Sequence, residues 1–205
     1  MNMMAVGERT RHWPGHEDFF ILNVAEQISS GIISSGHLQR GADGAAGDLG
    51  HIQLSRSGDT LCSCGNHGCL EALASVPAIT CQLRSNGLDV KEETDICQLM
   101  AAGNTHAIQT ARQAGRDIGD VLATVVNLLN PAVIVVGGLL TELGEQVVAG
   151  IREVIYRRCP PLATSGRQVA ASSAGNYAAI YGASASAIQH VLSPAAIQAN
   201  LTSSP

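Results

Sequence analysis

The chain has 205 residues, enough for one well-cored domain or two small lobes. Its residues are 45% apolar, 3% aromatic and 14% charged, so the core is built from Ala, Val, Ile and Leu, which suits an α/β fold. A net charge of −5 without a dense Lys/Arg run argues against direct nucleic-acid binding by these residues, because phosphate neutralisation needs a basic face.

No apolar run reaches membrane-spanning length and the N-terminus lacks a signal-peptide pattern, so a cytoplasmic location is expected. In such a compartment six cysteines are not expected to pair as disulfides. Cys81, Cys97 and Cys159 stand apart and read as buried or incidental thiols.

In chain order, residues 1–8 read as a helix already under way. A loop with Pro14 and Gly15 is expected from Arg9 to Asp18. The continuous apolar run Phe19-Phe-Ile-Leu-Asn-Val24 predicts a buried strand, and Gly31 to Gly36 a second strand, the two forming a hairpin over 19–36. A Gly-rich loop, Gly41 to Gly50, precedes the cysteine-rich segment. Gly68 to Ser75 opens a helix, and residues 76–104 carry short helical pieces broken at Gly87 and Gly103. Ile118, Val121, Leu122, Val125, Leu128 and Leu129 recur at three-and-four spacing within a long amphipathic helix over 105–130, ended by Asn130-Pro131. Ala132-Val-Ile-Val-Val136 predicts a buried strand, followed by Gly137-Gly138 and a helix from about Thr141. Tyr177 to Leu192 predicts a helix of small residues able to approach a neighbour closely, and the tail from Ser193 is expected to fray.

Within eight residues stand Cys62, Cys64 and Cys69, with His51 eleven positions upstream. Three thiolates and an imidazole complete a tetrahedral zinc shell, closed to a catalytic water. A reduced, metal-free thiol cluster is the alternative, and His67, inside the knuckle, is a rival ligand expected to face solvent.

The flanks of this cluster carry more. Gly41-Ala-x-Gly44-x-Ala46-Gly47-Asp48-Leu-Gly50-His51 and Cys62-x-Cys64-Gly65-Asn-x-Gly68-Cys69-Leu70-Glu71 together resemble the signature of the ROK family. Asn130-Pro131-Ala-Val-Ile-Val-Val-Gly137-Gly138 resembles that family's adenosine-side strand and turn, and Tyr181-Gly182-Ala183 its closing helix. The family comprises bacterial sugar kinases and sugar-responsive transcriptional repressors. The resemblance implies an actin-like ATPase (ribonuclease H-like) α/β fold, of which this chain is the C-terminal portion. Residues 1–192 would be the ROK domain, with a zinc knuckle at 51–71, an adenosine-side subdomain at about 105–192 and a tail at 193–205.

The same resemblance implies that Asp48, His51 and Glu71 accept sugar hydroxyls, with zinc on His51, Cys62, Cys64 and Cys69 bracing that wall. Carboxylates suit this task, since each accepts several hydroxyl hydrogen bonds. Asp48 stands where the family usually has glutamate, and its reach is shorter by one C–C bond, about 1.5 Å. A turn role within the Gly-rich loop is the alternative for Asp48. Gly137 and Gly138 are candidate nucleotide contacts, although a double glycine after a strand is common at any strand–helix turn.

Two departures from the family pattern count against catalysis. The aspartate general base of the kinases aligns just before Met1, and the N-terminal lobe would lie upstream of it. The second phosphate loop, usually Gly-x-Gly-Ile-Gly-x-Gly, reads Ala25-Glu26-Gln27-Ile28-Ser29-Ser30-Gly31. Side chains there obstruct the amides that would cradle phosphate, and Glu26 repels it. The expectation is therefore a non-catalytic, sugar-sensing effector domain of a ROK-type regulator without its DNA-binding part and without ATP turnover. An N-terminally truncated sugar kinase is the alternative, and a decayed paralogue the third reading. A homodimer is expected through the helices of residues 70–130.

Overall fold

The computed structural model describes residues 1–56, 58–138 and 145–202. Its centre is a five-stranded sheet in the order β3-β2-β1-β4-β5. These strands are β1 (Phe19–Val24), β2 (Ile28–Ser34), β3 (His37–Gln39), β4 (Val133–Gly137) and β5 (Gln168–Ala171). β1, β2 and β3 form an antiparallel meander, whereas β4 and β5 run parallel to β1.

The apolar runs of β1 and β4 place residues on both faces of the sheet, and both faces are covered. On one face Phe20, Leu22, Val24, Ile134 and Val136 join a large core. Above it lie α2 (Leu70–Ala74), α3 (Val76–Ser85), α4 (Glu93–Ala101), the long α5 (Thr105–Leu129) and α6 (Glu145–Arg158). On the other, Phe19, Ile21, Ile33, Val133 and Val135 pack with Ala5 of α1 (Asn2–His12). A short α7 (Pro161–Thr164) precedes β5, and α8 (Ala178–Val191) crosses the outer side of α1.

Several sequence expectations meet corrections here. α1 continues to His12 through the stretch expected as loop, and the loop begins at Trp13. β3, α7 and β5 were not anticipated, because each is too short for a periodic signal. The tail expected to fray forms α9 (Pro194–Thr202). The helix start expected near Thr141 lies outside the described residues. No helix among the described residues is long and apolar enough to cross a membrane.

The 25-residue α5 has the caps its sequence advertises. Asn104 accepts the Ala107 N–H at the N-terminus, and Asn130 takes a left-handed conformation (φ 48°) at the C-terminus. Glu8 of α1 is fully buried and accepts from Ser172 Oγ (2.8 Å) and from the Ser173 and Ala174 N–H groups (3.0 and 3.1 Å). That carboxylate ties α1 to the segment following β5.

Candidate metal centre and flanking clefts

The loop between β3 and α2 turns repeatedly, with Gly65 and Gly68 at φ 87° and 76°, where a side chain would be strained. These turns gather His51, Cys62, Cys64 and Cys69, whose ligand atoms all lie within 4.8 Å of one another. Cys64 Sγ stands 3.7 Å from Cys69 Sγ, and Cys62 Sγ 3.6 Å from His51 Nδ1. A sulfur separation of that size is far beyond a disulfide. It matches a tetrahedral ion, whose bonds of about 2.0–2.3 Å hold ligands roughly 3.4–3.8 Å apart. The donor set and its spacing therefore fit a metal ion.

Burial against the neighbouring thiols pushes the Cys69 thiol up to about 12, while the Asn66 backbone N–H helps bring the exposed Cys64 thiol down to about 7. Without a metal, Cys69 holds its proton. His67 is exposed and lies outside the cluster.

Glu71 follows directly, in the first turn of α2, and is only 9% exposed. Its Oε2 accepts the Ile28 N–H at 3.2 Å and its Oε1 the Ser63 hydroxyl at 3.1 Å. The sequence assigned this carboxylate to a ligand alone, but it also fastens the knuckle to the start of β2. It lines an open cleft of about 500 Å³ together with Glu26, Gln27, Cys62, Ser63 and Ser75.

Asp48 opens elsewhere. It lines a second cleft, also about 500 Å³, with Asn2, Ser29, Ser30 and the Gly44–Gly47 backbone. The strip from Gly47 to His51 joins the Asp48 loop to the knuckle. Its backbone is pinned by Ser30 N–H to Gly47 O (3.0 Å) and by Glu71 N–H to Gly50 O (2.8 Å). Asp48 is exposed and caps no helix among the described residues. The fold thus brings His51 and the three cysteines together with Glu71 beside them, whereas Asp48 lines a different cleft from Glu71.

The β1–β2 turn bears on phosphate binding. The stretch from Ala25 to Gln27 is a bend stabilised by Ala25 N–H to Gln27 O (3.2 Å), and Glu26 and Gln27 project into the Glu71 cleft. No Lys or Arg lines that cleft. Gly138, at φ 89°, is demanded by packing: a Cβ there would overlap the Val24 carbonyl and stand 2.8 Å from its carbon. Gly137, in contrast, closes β4 in ordinary strand geometry.

Sequence reading missed Ser63, Ser29, Ser30 and Asn2 as cleft polar groups, since lone serines in strands and loops carry no spacing signal. It also missed the Arg56–Asp117 clamp. Asp117 of α5 is buried and accepts from Arg56 Nε (2.5 Å) and Nη2, and from Gln113 Nε2 (3.0 Å). Burial nevertheless raises its carboxyl above the ordinary range, outweighing the guanidinium. This pair locks the knuckle loop to the longest helix.

A mixed five-stranded sheet layered with helices on both faces, with a His/Cys₃ loop inserted between β3 and α2, defines an α/β protein of the actin-like sugar-kinase kind. The chain belongs to the ROK family, whose family model matches residues 1–190. An N-acetylglucosamine repressor of Escherichia coli O157:H7 is 33% identical over 148 residues, covering 68% of this chain and 36% of the repressor. Among solved structures, a ROK family transcriptional regulator, a homologue of the Escherichia coli MLC protein, superposes with a TM-score of 0.81. It is 28% identical and covers 89% of this chain and 48% of its own. A ROK family glucokinase from Streptomyces griseus, solved with glucose and AMPPNP, gives a TM-score of 0.77 at 29% identity, covering 92% and 66%. The chain thus spans little more than a third of the repressor's length, and both repressors and kinases are its homologues.

Proposed function

We propose that these residues form the sugar-sensing part of a ROK-type transcriptional regulator, with a structural zinc ion and no phosphoryl transfer of their own. The observation that carries the reading is the β1–β2 turn. Where the kinase pattern has Gly-x-Gly the chain has Ala25-Glu26-Gln27, and Glu26 and Gln27 line a cleft that also holds the Glu71 carboxylate and, among the described residues, no Lys or Arg. Two carboxylates repel a triphosphate, whereas carboxylates and hydroxyls together suit a neutral polyol.

In this reading zinc is held by His51 Nδ1, Cys62, Cys64 and Cys69, and its contribution is to fix the knuckle. His51 then has Nε2 left for a sugar hydroxyl, the orientation set by the metal on the other nitrogen. Glu71 accepts a second hydroxyl with lone pairs that Ile28 and Ser63 leave unused, and Asp48 a third. Nucleotide contact by Gly137 and Gly138 is not required. Residues 1–192, the knuckle at 51–71 and a subdomain at about 105–192 are the working division of the chain.

Self-association belongs to the same proposal. Leu128, near the end of α5, is 78% exposed and lies within the helices of residues 70–130 through which the dimer is proposed. Light scattering at micromolar concentration is expected to give a dimer, and a monomer would remove that part.

The glucokinases among the relatives support a second reading, in which the chain is the C-terminal portion of a sugar kinase. A coupled assay for ADP release, run with hexoses and amino sugars, decides between them. No turnover alongside sugar binding is expected, and sugar-dependent ADP release would replace the regulator with the kinase.

A further inference from the structure

A third cleft, of about 570 Å³, lies between α1, the β2–β3 hairpin and α8. It shares no lining residue with the Asp48 cleft or the Glu71 cleft. Its polar wall carries Arg9, Arg40, His37 and His190, with Thr10 and Gln189 as neutral donors. The chain has 17 acidic residues and a net charge of −5, yet among the described residues no carboxylate lines this cleft.

Among the described residues, the two arginines also lack the carboxylate partners that four others have. Arg56, Arg112, Arg116 and Arg158 each pair with a carboxylate, but among the described residues neither Arg9 nor Arg40 does. Arg9 is oriented nonetheless. Its Nε donates to the His16 carbonyl at 2.6 Å, and its terminal Nη2 lies 3.8 Å from the Cβ position of Gly36, on the cleft wall. Gly36 is in the left-handed region (φ 76°), so the hairpin turn passes the guanidinium without a side chain between them. His37 Nδ1 donates to the Ser35 carbonyl at 2.7 Å, which leaves Nε2 as its free nitrogen. Asp18, whose carboxylate bonds this hairpin, is engaged by Ser34 Oγ and the Ser35 N–H.

Unpaired guanidinium groups converging on a concave site recognise multivalent oxyanions, because their planar forks match phosphate oxygens. Two fixed positive charges balance the roughly two negative charges of a phosphate monoester better than the single charge of a carboxylate. Val6, Ile33 and Leu38 supply an apolar floor, and the volume is in the range of small-molecule sites, about 300–1,000 Å³. We propose that this cleft binds a phosphoryl group carried on a small organic molecule, at a site separate from the sugar wall.

The test is calorimetric titration at low salt with glycerol 3-phosphate, inorganic phosphate, glycerol and acetate. The parent chain, Arg40→Gln, Arg9→Gln and Asp48→Asn are compared. Arg40 is exposed and its side chain makes no hydrogen bond among the described residues, while its carbonyl, which accepts from the Ala46 N–H, is kept by the substitution, so the fold stays intact, which an unchanged melting temperature verifies. Glycerol 3-phosphate is expected to saturate, with inorganic phosphate weaker and glycerol silent. Arg40→Gln weakens binding at least about tenfold and Asp48→Asn leaves it unchanged. Inorganic phosphate binding as tightly as the ester would reduce the site to a bare anion hole and overturn the organic part of the proposal. Acetate binding equal to phosphate, no saturation by either phosphate up to about 10 mM, or full binding by Arg40→Gln would overturn it altogether. None of these results depends on whether a sugar binds beside the knuckle, so the two proposals fail separately.

Discussion

The crossing of α1 and α8 offers a sharp perturbation, Gly182→Ala. Gly182 is buried in the middle of α8, and Gly7 faces it from α1. A Cβ at Gly182 would overlap the Met3 carbonyl oxygen, and would stand 2.7 Å from that carbonyl carbon and 2.9 Å from the Gly7 nitrogen. Carbon contacts are comfortable at about 3.5–4.0 Å, so the helices must separate by roughly 1 Å. The obstacle is backbone from two residues, which cannot rotate aside. Overpacking of this kind costs about 1–3 kcal/mol, and the upper end applies here. Alanine returns up to about 1 kcal/mol in helix propensity. The net loss is about 2 kcal/mol, roughly a thirtyfold shift in the unfolding equilibrium, or about 4–8 °C in melting temperature. Urea denaturation followed by circular dichroism measures it, with Ala187→Gly on the exposed face of α8 as a control losing about 1 kcal/mol from propensity alone. Asn2, Met3 and Ala179 line the Asp48 cleft, so separation of these helices also distorts that cleft. A Gly182→Ala chain as stable as the parent, or more so, would refute the packing argument.

Arg56→Met strands the buried Asp117 carboxylate with Gln113 as its remaining partner, and is expected to cost about 3 kcal/mol at neutral pH. Because burial raises this carboxyl in the folded state, stability from it falls as pH rises through its folded value. The defect should therefore shrink on acidification, as urea midpoints across a pH series would reveal. Glu8→Ala leaves the Ser172 hydroxyl, the buried Ala174 N–H and the Ser173 N–H without their acceptor and should lose about 3 kcal/mol, with Glu8→Gln losing less. Metal analysis should find one zinc per chain. Its removal by a chelator, or Cys69→Ser, should lower the melting temperature, while Cys81→Ser on α3 leaves it unchanged. Zinc uptake by the metal-free chain should release protons and weaken at acid pH, since Cys69 must lose a proton held up to about 12.

Long or doubly covered elements were legible in the sequence. β1, β4 and α5 carry continuous or three-and-four apolar patterns over enough residues to override local ambiguity, and the Asn104 and Asn130 caps fell where the pattern stopped. The end of α1 was obscured because Arg9, Arg11 and His12 are polar: the helix covers the sheet with Ala5 and Met1 only, so its last turn has no apolar stripe to read. β3 and β5 are edge strands of three and four residues whose existence depends on pairing with β2 and β4. For the site, the cysteine spacing carried the metal cluster intact, since ligand type and spacing are local. Glu71 was found as a carboxylate, but its bonds to Ile28 and Ser63 were not, because they join positions distant or out of phase in sequence. That Asp48 and Glu71 line different clefts is a matter of three dimensions, and no spacing rule contains it.

The central claim, a sugar pocket braced by the knuckle and indifferent to ATP, is tested most directly by calorimetry on the zinc-loaded chain with hexoses and amino sugars, in the presence and absence of ATP. Saturable binding of at least one sugar, unaffected by ATP and lost in Asp48→Asn and His51→Ala, is the expected result, with the melting temperature of the Asp48 variant unchanged. Binding that strengthens with ATP, or no sugar binding by a folded, zinc-replete chain, would contradict the account.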